Sequence, residues 1–340
     1  MLGTRYPIIQ APMAGVQAGA LAAAVSEAGG LGSLPCAMLT PQAMRAELEA
    51  MRARVGRRVN VNFFCHVPPT PDERREAAWR EALAPYYREF AIDAAKVPAG
   101  PGRAPFTAEA ADVLEEFRPE IVSFHFGLPS EALLARVKGW GSKVLASATT
   151  VEEARWLEAR GVDAVIAQGV EAGGHRGIFL SGDLTTQVGT FSLLPQVVDA
   201  VKVPVIAAGG IADARGVAAA MALGASAVQV GTAFLLCPEA TTSAVHRAAL
   251  KSEAARHTAL TNLFTGRPAR GIVNRIIREM GAIHPAAPAF PLATSAIAPL
   301  RAKAEAQGSG DFSPLWSGQN ASGCREMPAA QLLQQLASRL

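Results

Sequence analysis

The run Gly169-Val170-Glu171-Ala172-Gly173-Gly174-His175-Arg176-Gly177 sets one imidazole in a loop of four glycines. Glycine lets a backbone lie close against a flat ligand. A neutral imidazole near pH 7 can take a proton from carbon or hydrogen-bond an anion. The alternative for His175 is a loop histidine facing water. His125 ends an otherwise apolar run, 121–126, and either points into a site or is a satisfied core histidine. Asn62 lies near the end of the run 59–64 and Gln168 ends the run 164–168, where an amide can hold the donors and acceptors of a ring or simply cap a loop. What is missing narrows the chemistry. Asp183 and Glu171 stand alone, so there is no carboxylate pair of the kind glycoside hydrolysis needs. No His/Asp/Glu cluster has metal-ligand spacing, and no lysine ends a strand for Schiff-base chemistry.

The elements that must position these residues follow from residues 203–216 and 225–234. Each stretch opens with an apolar, β-branched run, the mark of a buried parallel strand. The first ends in Gly209-Gly210, followed by Asp213 as the N-cap of a helix through Leu223 that Gly224 stops. The second ends in Gln229-Val230-Gly231-Thr232. A glycine turn feeding a helix N-terminus offers N–H donors to a phosphate. Two in tandem match the phosphate site of a (β/α)8 barrel, made after its last two strands. Further strands are expected at 8–13, 31–35, 59–64, 121–126, 144–147 and 164–168, with helices at 18–28, 41–55, 150–160 and 191–201. The fold class is therefore α/β, a (β/α)8 TIM barrel, with roughly eight strands alternating with helices. Strand ends at the mouth then carry Pro12, Met13, Ala14, Asn62, His125, Gln168 and the glycine turns. A phosphate site, amides and histidines fit a phosphorylated cofactor that carries the chemistry itself. FMN is the candidate, with one phosphate and a ring that Asn62 and Gln168 can hold.

Pro68, Pro69 and Pro71 break the rhythm and lead into a polar helix at 72–91 and a Pro/Gly-rich stretch at 98–105. Residues 67–118 thus read as an insertion over one mouth of the barrel or as a long βα unit. Past Pro238, helices are expected at 241–258 and 270–280, then a Pro/Ala segment at 284–299, a helix at 300–306, a loop at 311–319 and a closing helix at 328–340. The division is an FMN-binding barrel, 1–238, a smaller, mostly helical substrate domain, 239–300, and a segment packing back on the barrel, 301–340. That tail covers the active face or makes a homodimer contact. The chain of 340 residues is half apolar and carries a net charge of +3 without a basic run, so nucleic-acid binding is not indicated. Cys36, Cys65, Cys237 and Cys324 form no C-x-x-C pair, as expected of reduced thiols in a cytoplasmic protein. Neither a signal peptide nor a membrane span is expected.

The residues together resemble the nitronate monooxygenase family, formerly the 2-nitropropane dioxygenases. The likeness runs from Tyr6 to at least Gln319. Its motifs are Gln10-Ala11-Pro12-Met13-Ala14-Gly15, Asn60-Val61-Asn62-Phe63-Phe64, Glu171-Ala172-Gly173-Gly174-His175 and the two glycine turns. The segment Asp311-Phe312-Ser313-Pro314-Leu315-Trp316-Ser317-Gly318-Gln319 is similar to the family's class I branch. The resemblance implies FMN held against Pro12, Met13, Ala14, Asn62, Gln168, Gly173, Gly174, Gly209, Gly210, Gln229, Val230, Gly231 and Thr232. It implies His175 as catalytic residue and substrate contact, and His125 as a contact to the substrate anion. The implied reaction is oxidation of alkyl nitronates, notably propionate 3-nitronate, by O2 through a flavin semiquinone. The products are a carbonyl compound and nitrite or nitrate. Flavin-dependent enoyl-acyl carrier protein reductases and related quinone reductases share the E-A-G-G-H loop and the glycine turns. An FMN-dependent NAD(P)H reductase is therefore the alternative.

Overall fold

A computed structural model describes residues 2–97 and 103–340. The expected Pro/Gly-rich stretch at 98–105 lies outside the described residues as far as residue 102. The strands are β1 (Ile8–Gln10), β2 (Ser33–Pro35), β3 (Asn60–Phe64), β4 (Ile121–His125), β5 (Lys143–Ala148) and β6 (Ala164–Gln168). They continue with β7 (Gly174–His175), β8 (Val205–Ala208), β9 (Ala227–Val230), β10 (Thr258–Thr261) and β11 (Ala269–Ile272). Eight of them form one parallel sheet in the order β1-β9-β8-β6-β5-β4-β3-β2. The ring closes where the Gln10 N–H donates to the Leu31 carbonyl and the Leu31 N–H to the Ile8 carbonyl, both at 2.9 Å. This is the expected (β/α)8 barrel.

Period-2 alternation sorts the strand residues into two cores. Ile9, Ile121, Leu145, Ala164, Ile166, Ile206 and Ala227 fill the barrel interior. Ile8, Val61, Val122, Val144, Val165, Val205 and Val228 face the surrounding helices. Those helices are α1 (Gly19–Glu27), α2 (Pro41–Val55), α4 (Ala108–Phe117), α5 (Glu131–Gly139), α6 (Val151–Ala159), α7 (Thr190–Ala200), α8 (Ala214–Ala222) and α12 (Ala329–Leu336), with α3 (Glu73–Glu89) elsewhere. Sequence caps act as expected. Thr40 accepts from the Ala43 N–H at 3.2 Å ahead of Pro41, and Asp213 accepts from the N–H groups of Arg215 and Gly216 at 2.9 and 3.1 Å. α12 buries Leu332, Leu333 and Leu336 in the same core, each worth about 1.5–3 kcal/mol relative to exposure.

A second core joins segments far apart in sequence. Trp79, Leu83, Tyr86 and Tyr87 of α3 pack with Leu263, Phe264, Ile276, Ile297, Leu300 and Phe312. These belong in part to α10 (Arg275–Met280) and α11 (Ala293–Ala306), which follow α9 (Ala244–Leu250). The two helices within 67–118 pack in different cores. α3 joins the second core, whereas α4 places Ala111, Val113, Leu114 and Phe117 in the first.

Three expectations past residue 238 need correction. The helix expected at 241–258 ends at Leu250, and Thr258–Thr261 pairs antiparallel with Ala269–Ile272. The helix expected from 270 begins at Arg275, because the Asn274 side chain caps it. Residues 284–299 are not all irregular: α11 starts at Ala293 and contains Pro299. Proline removes one helical N–H there without ending the helix. The pair Gly174–His175 joins the small sheet β10-β11-β7, with His175 opposite Ala269. The histidine loop is therefore stapled to the C-terminal region rather than hanging free.

Candidate functional site

The C-terminal strand ends open onto a cleft of about 1320 Å³, its mouth included. Pro12, Met13, Ala14, Asn62, His125, Gln168, Gly173, Gly174, His175, Gly209, Gly210, Gln229, Gly231 and Thr232 all line it. Val230 does not. Inward positions of β9 are Ala227 and Gln229, so the Val230 side chain faces the outer core, while its carbonyl accepts from the Ala11 N–H at 2.8 Å. No aspartate or glutamate lines the cleft among the described residues, whereas Arg103, His125, His175 and His246 do.

The loop after β6 is fixed at several points. Gln168 Nε2 donates to the His175 carbonyl at 3.0 Å, and Gln168 Oε1 accepts from the Gly177 N–H at 2.8 Å. Both ends of that amide hold the loop. The same carbonyl accepts from His125 Nε2 at 3.2 Å, which sets the His125 tautomer, since a carbonyl only accepts. Beneath, Arg176 is fully buried and donates to the Gly169 and Gln168 carbonyls, each at 2.7 Å, and to Gln187 Oε1 at 3.0 Å. Glu171 is spent on structure: its carboxylate accepts from the Thr190 N–H and hydroxyl at 2.8–2.9 Å, at the start of α7.

Burial keeps the histidines neutral. His125 is pushed down to about 3 by burial and then by the Arg267 charge. Burial also holds His175 well below the usual histidine value, with Arg103, His125 and Arg267 adding to it. His175 Nε2 lies 2.9 Å from Thr265 Oγ1, which is also 3.3 Å from the Arg267 carbonyl. The Thr265 hydroxyl has one proton and two acceptors in reach. Given to Nε2, it leaves the ring proton on Nδ1. Given to Arg267, it leaves Nε2–H and a lone pair on Nδ1. A neutral His175 can thus present either a donor or an acceptor.

The turns fit a phosphorylated ring cofactor. Gly209 and Gly210 have φ of +116° and +70°, and a Cβ on Gly209 would stand 2.8 Å from Thr190 Oγ1. Only glycine suits that turn. Gln229 Oε1 is buried in the cleft wall without a hydrogen-bond partner. Asn62 Nδ2 donates to the carbonyl and hydroxyl of Ser123 at 3.2 and 2.9 Å. An unmade acceptor on Gln229 suits a ring N–H.

The tail stitches the turns together. The Gly318 N–H donates to Thr232 Oγ1 at 2.9 Å, the Gln319 N–H to the Glu171 carbonyl at 2.9 Å and Asn320 Nδ2 to the Gly210 carbonyl at 3.1 Å. A Cβ on Gly173 would lie 2.5 Å from the Gly318 nitrogen. Sequence reasoning missed Phe64, Arg103, His246 and Trp316, which also line the cleft. Strand parity with Asn62 was a signal for Phe64. His66 had none: it is buried among Phe64, Phe126 and Phe290.

Known proteins resemble the chain over nearly its whole length. The sequence model of the family described as nitronate monooxygenase matches residues 1–339. A nitronate monooxygenase of Pseudomonas aeruginosa is 44% identical, with 100% of this chain and 97% of the relative covered. A probable nitronate monooxygenase of Staphylococcus saprophyticus is 37% identical, over 98% and 94%. Among solved structures, nitroalkane oxidase from Streptomyces ansochromogenes superposes with a TM-score of 0.90 at 42% identity, over 99% and 96%. FabK from Thermotoga maritima gives 0.70 at 28% identity, over 99% and 93%. With the barrel, the twin glycine turns and the histidine loop in place, the chain belongs to the nitronate monooxygenase family and is an oxidoreductase.

Proposed function

We propose that the protein oxidises alkyl nitronates with O2 on a bound FMN, giving a carbonyl compound with nitrite or nitrate, and that it accepts propionate 3-nitronate. One observation carries this reading: the cleft has no carboxylate among its described lining residues, yet holds a half-buried arginine and neutral histidines. Such a site attracts an anion without offering a competing internal one. Gly209, Gly210 and the turn at Gly231-Thr232 would hold the phosphate, and Gln229 Oε1 and Asn62 the ring, with Met13 beside it. FMN supplies electron transfer and O2 chemistry when bound.

The chain's own residues do the rest. His175 with its proton on Nδ1 hydrogen-bonds the nitronate oxygens. With its lone pair on Nδ1, it takes the α-proton of a neutral nitroalkane. His125 and Gln168 hold the His175 backbone so that the ring stays in place. Trp316 and Phe64 wall the cleft and limit water. A cytoplasmic location accords with four unpaired thiols.

The expected result is rapid O2 uptake with nitrite release when FMN-loaded protein meets propionate 3-nitronate, and no acceleration by NADH. Uptake that needs NADH and ignores the nitronate would favour the reductase reading.

A further inference from the structure

Arg103 contributes to the cleft's attraction for an anion, but the proposed chemistry gives it no contact of its own with the substrate. It sits where the chain returns from the excursion after β3. Three residues on, the Phe106 N–H donates to the Phe64 carbonyl at 2.8 Å, and Phe106 packs in the main core against Phe63 at 4.7 Å between ring centres. That anchor pins Arg103 above the end of β3. In the ring of strands, β3 stands four places from β8, on the far side of the barrel from the glycine turns. Arg103 is thus remote from the proposed phosphate site.

Arg103 Nη1 is buried without a hydrogen-bond partner, although Arg103 lines the cleft. Burial lowers its pKa, and the charge that adds to this is another cation, Arg301. The guanidinium lies 5.7 Å from the centre of the Phe290 ring. The His175 ring centre is 5.3 Å from the same point, and that of His66 is 4.8 Å. Arg103 and His175 are therefore no further apart than their two distances to Phe290 laid end to end. The Arg103 backbone runs beside His66, yet neither ring nitrogen makes a hydrogen bond of normal geometry. Arg267 is engaged elsewhere, donating to the Ile178 carbonyl and stacked over Phe126 at 4.0 Å. A buried guanidinium N–H without a partner is normally matched by an acceptor, and an anion answers the charge as well. Its planar fork matches a carboxylate.

We infer that Arg103 is a carboxylate subsite: it binds the acid group of a short nitronate whose nitro end lies at His175, and so selects carboxylate-bearing over uncharged-tail substrates. This rests on the nitronate reading for the nitro end only. The subsite itself is a property of Arg103 and the Phe290 platform. It predicts a substrate with two anionic ends a few carbons apart.

The test compares propionate 3-nitronate with propyl 1-nitronate in the FMN-loaded wild type, Arg103→Gln and Arg103→Lys. Wild type favours the carboxylate substrate in kcat/KM. Arg103→Gln lowers that preference by about 30-fold, mostly through KM, and Arg103→Lys restores part of it. A ratio unchanged within threefold in Arg103→Gln overturns the proposal. In parallel, calorimetric titration with 3-nitropropionate and 1-nitropropane reads binding without turnover. Tighter binding of the acid, lost in Arg103→Gln, upholds the subsite even if neither nitronate is oxidised, in which case the reaction assignment fails instead. Equal binding of the two ligands by wild type overturns the subsite whatever the turnover.

Discussion

Replacing His175 with alanine should lower kcat for a neutral nitroalkane by about 10²–10⁴-fold, the usual worth of a positioned proton acceptor. The loop should survive, because its anchors are main-chain. The residue 175 carbonyl still accepts from Gln168 and His125, and its strand still pairs with Ala269. FMN should be retained, and KM for the nitronate should rise as its hydrogen-bond donor is lost. A kcat within threefold of wild type would show that His175 neither takes the proton nor holds the nitro group. The wild type carries a related expectation. His175 is depressed well below the ordinary histidine value. Its neutral form is complete above that ordinary value, near 6.5, and is lost only as pH falls through the lower, folded-state pKa. Turnover should therefore stay level from pH 8 to pH 6. Loss of half the activity near pH 6.5 would mean a solvated imidazole.

Replacing Arg176 with methionine should destabilise the protein by about 3–5 kcal/mol, a change seldom reached by one substitution. Methionine fills much of the space but donates nothing. The Gly169 and Gln168 carbonyls and Gln187 Oε1 would lose their buried donor together. Arg176 is 0% exposed, so little water can step in. Burial lowers its pKa to about 10, which still leaves it charged at pH 7. The melting temperature should fall by about 6–15 °C. Arg176→Lys should recover only part, since one ammonium cannot span three acceptors. A shift below about 1 kcal/mol in urea unfolding would mean that the loop after β6 is held by other means.

The barrel was legible because its signals are local and repeated. Val205–Ala208 and Ala227–Val230 are short apolar runs that end in glycine, and Asp213 and Thr40 are cap residues that do in space what they imply in sequence. In the run Gln229 to Thr232, only alternation along the strand tells that Val230 looks outward. Non-local pairing was hidden. Thr258–Thr261 begins where the expected helix at 241–258 ends, and its strand is set by Ala269–Ile272 beside it, with Gly174–His175 completing the sheet. Arg103 was silent for a similar reason. In a Pro/Gly-rich stretch it has no periodic context, and its meaning comes from Phe290, nearly two hundred residues on.

The central claim is that a nitronate, and not a reduced nicotinamide, delivers electrons to the cofactor in this cleft. The most direct measurement is anaerobic mixing of the FMN-loaded protein with propionate 3-nitronate in one cell and NADH in another, with the flavin's visible absorption followed in each. A prompt spectral change with the nitronate and a flat trace with NADH are expected. Bleaching by NADH, with the nitronate without effect, would contradict it.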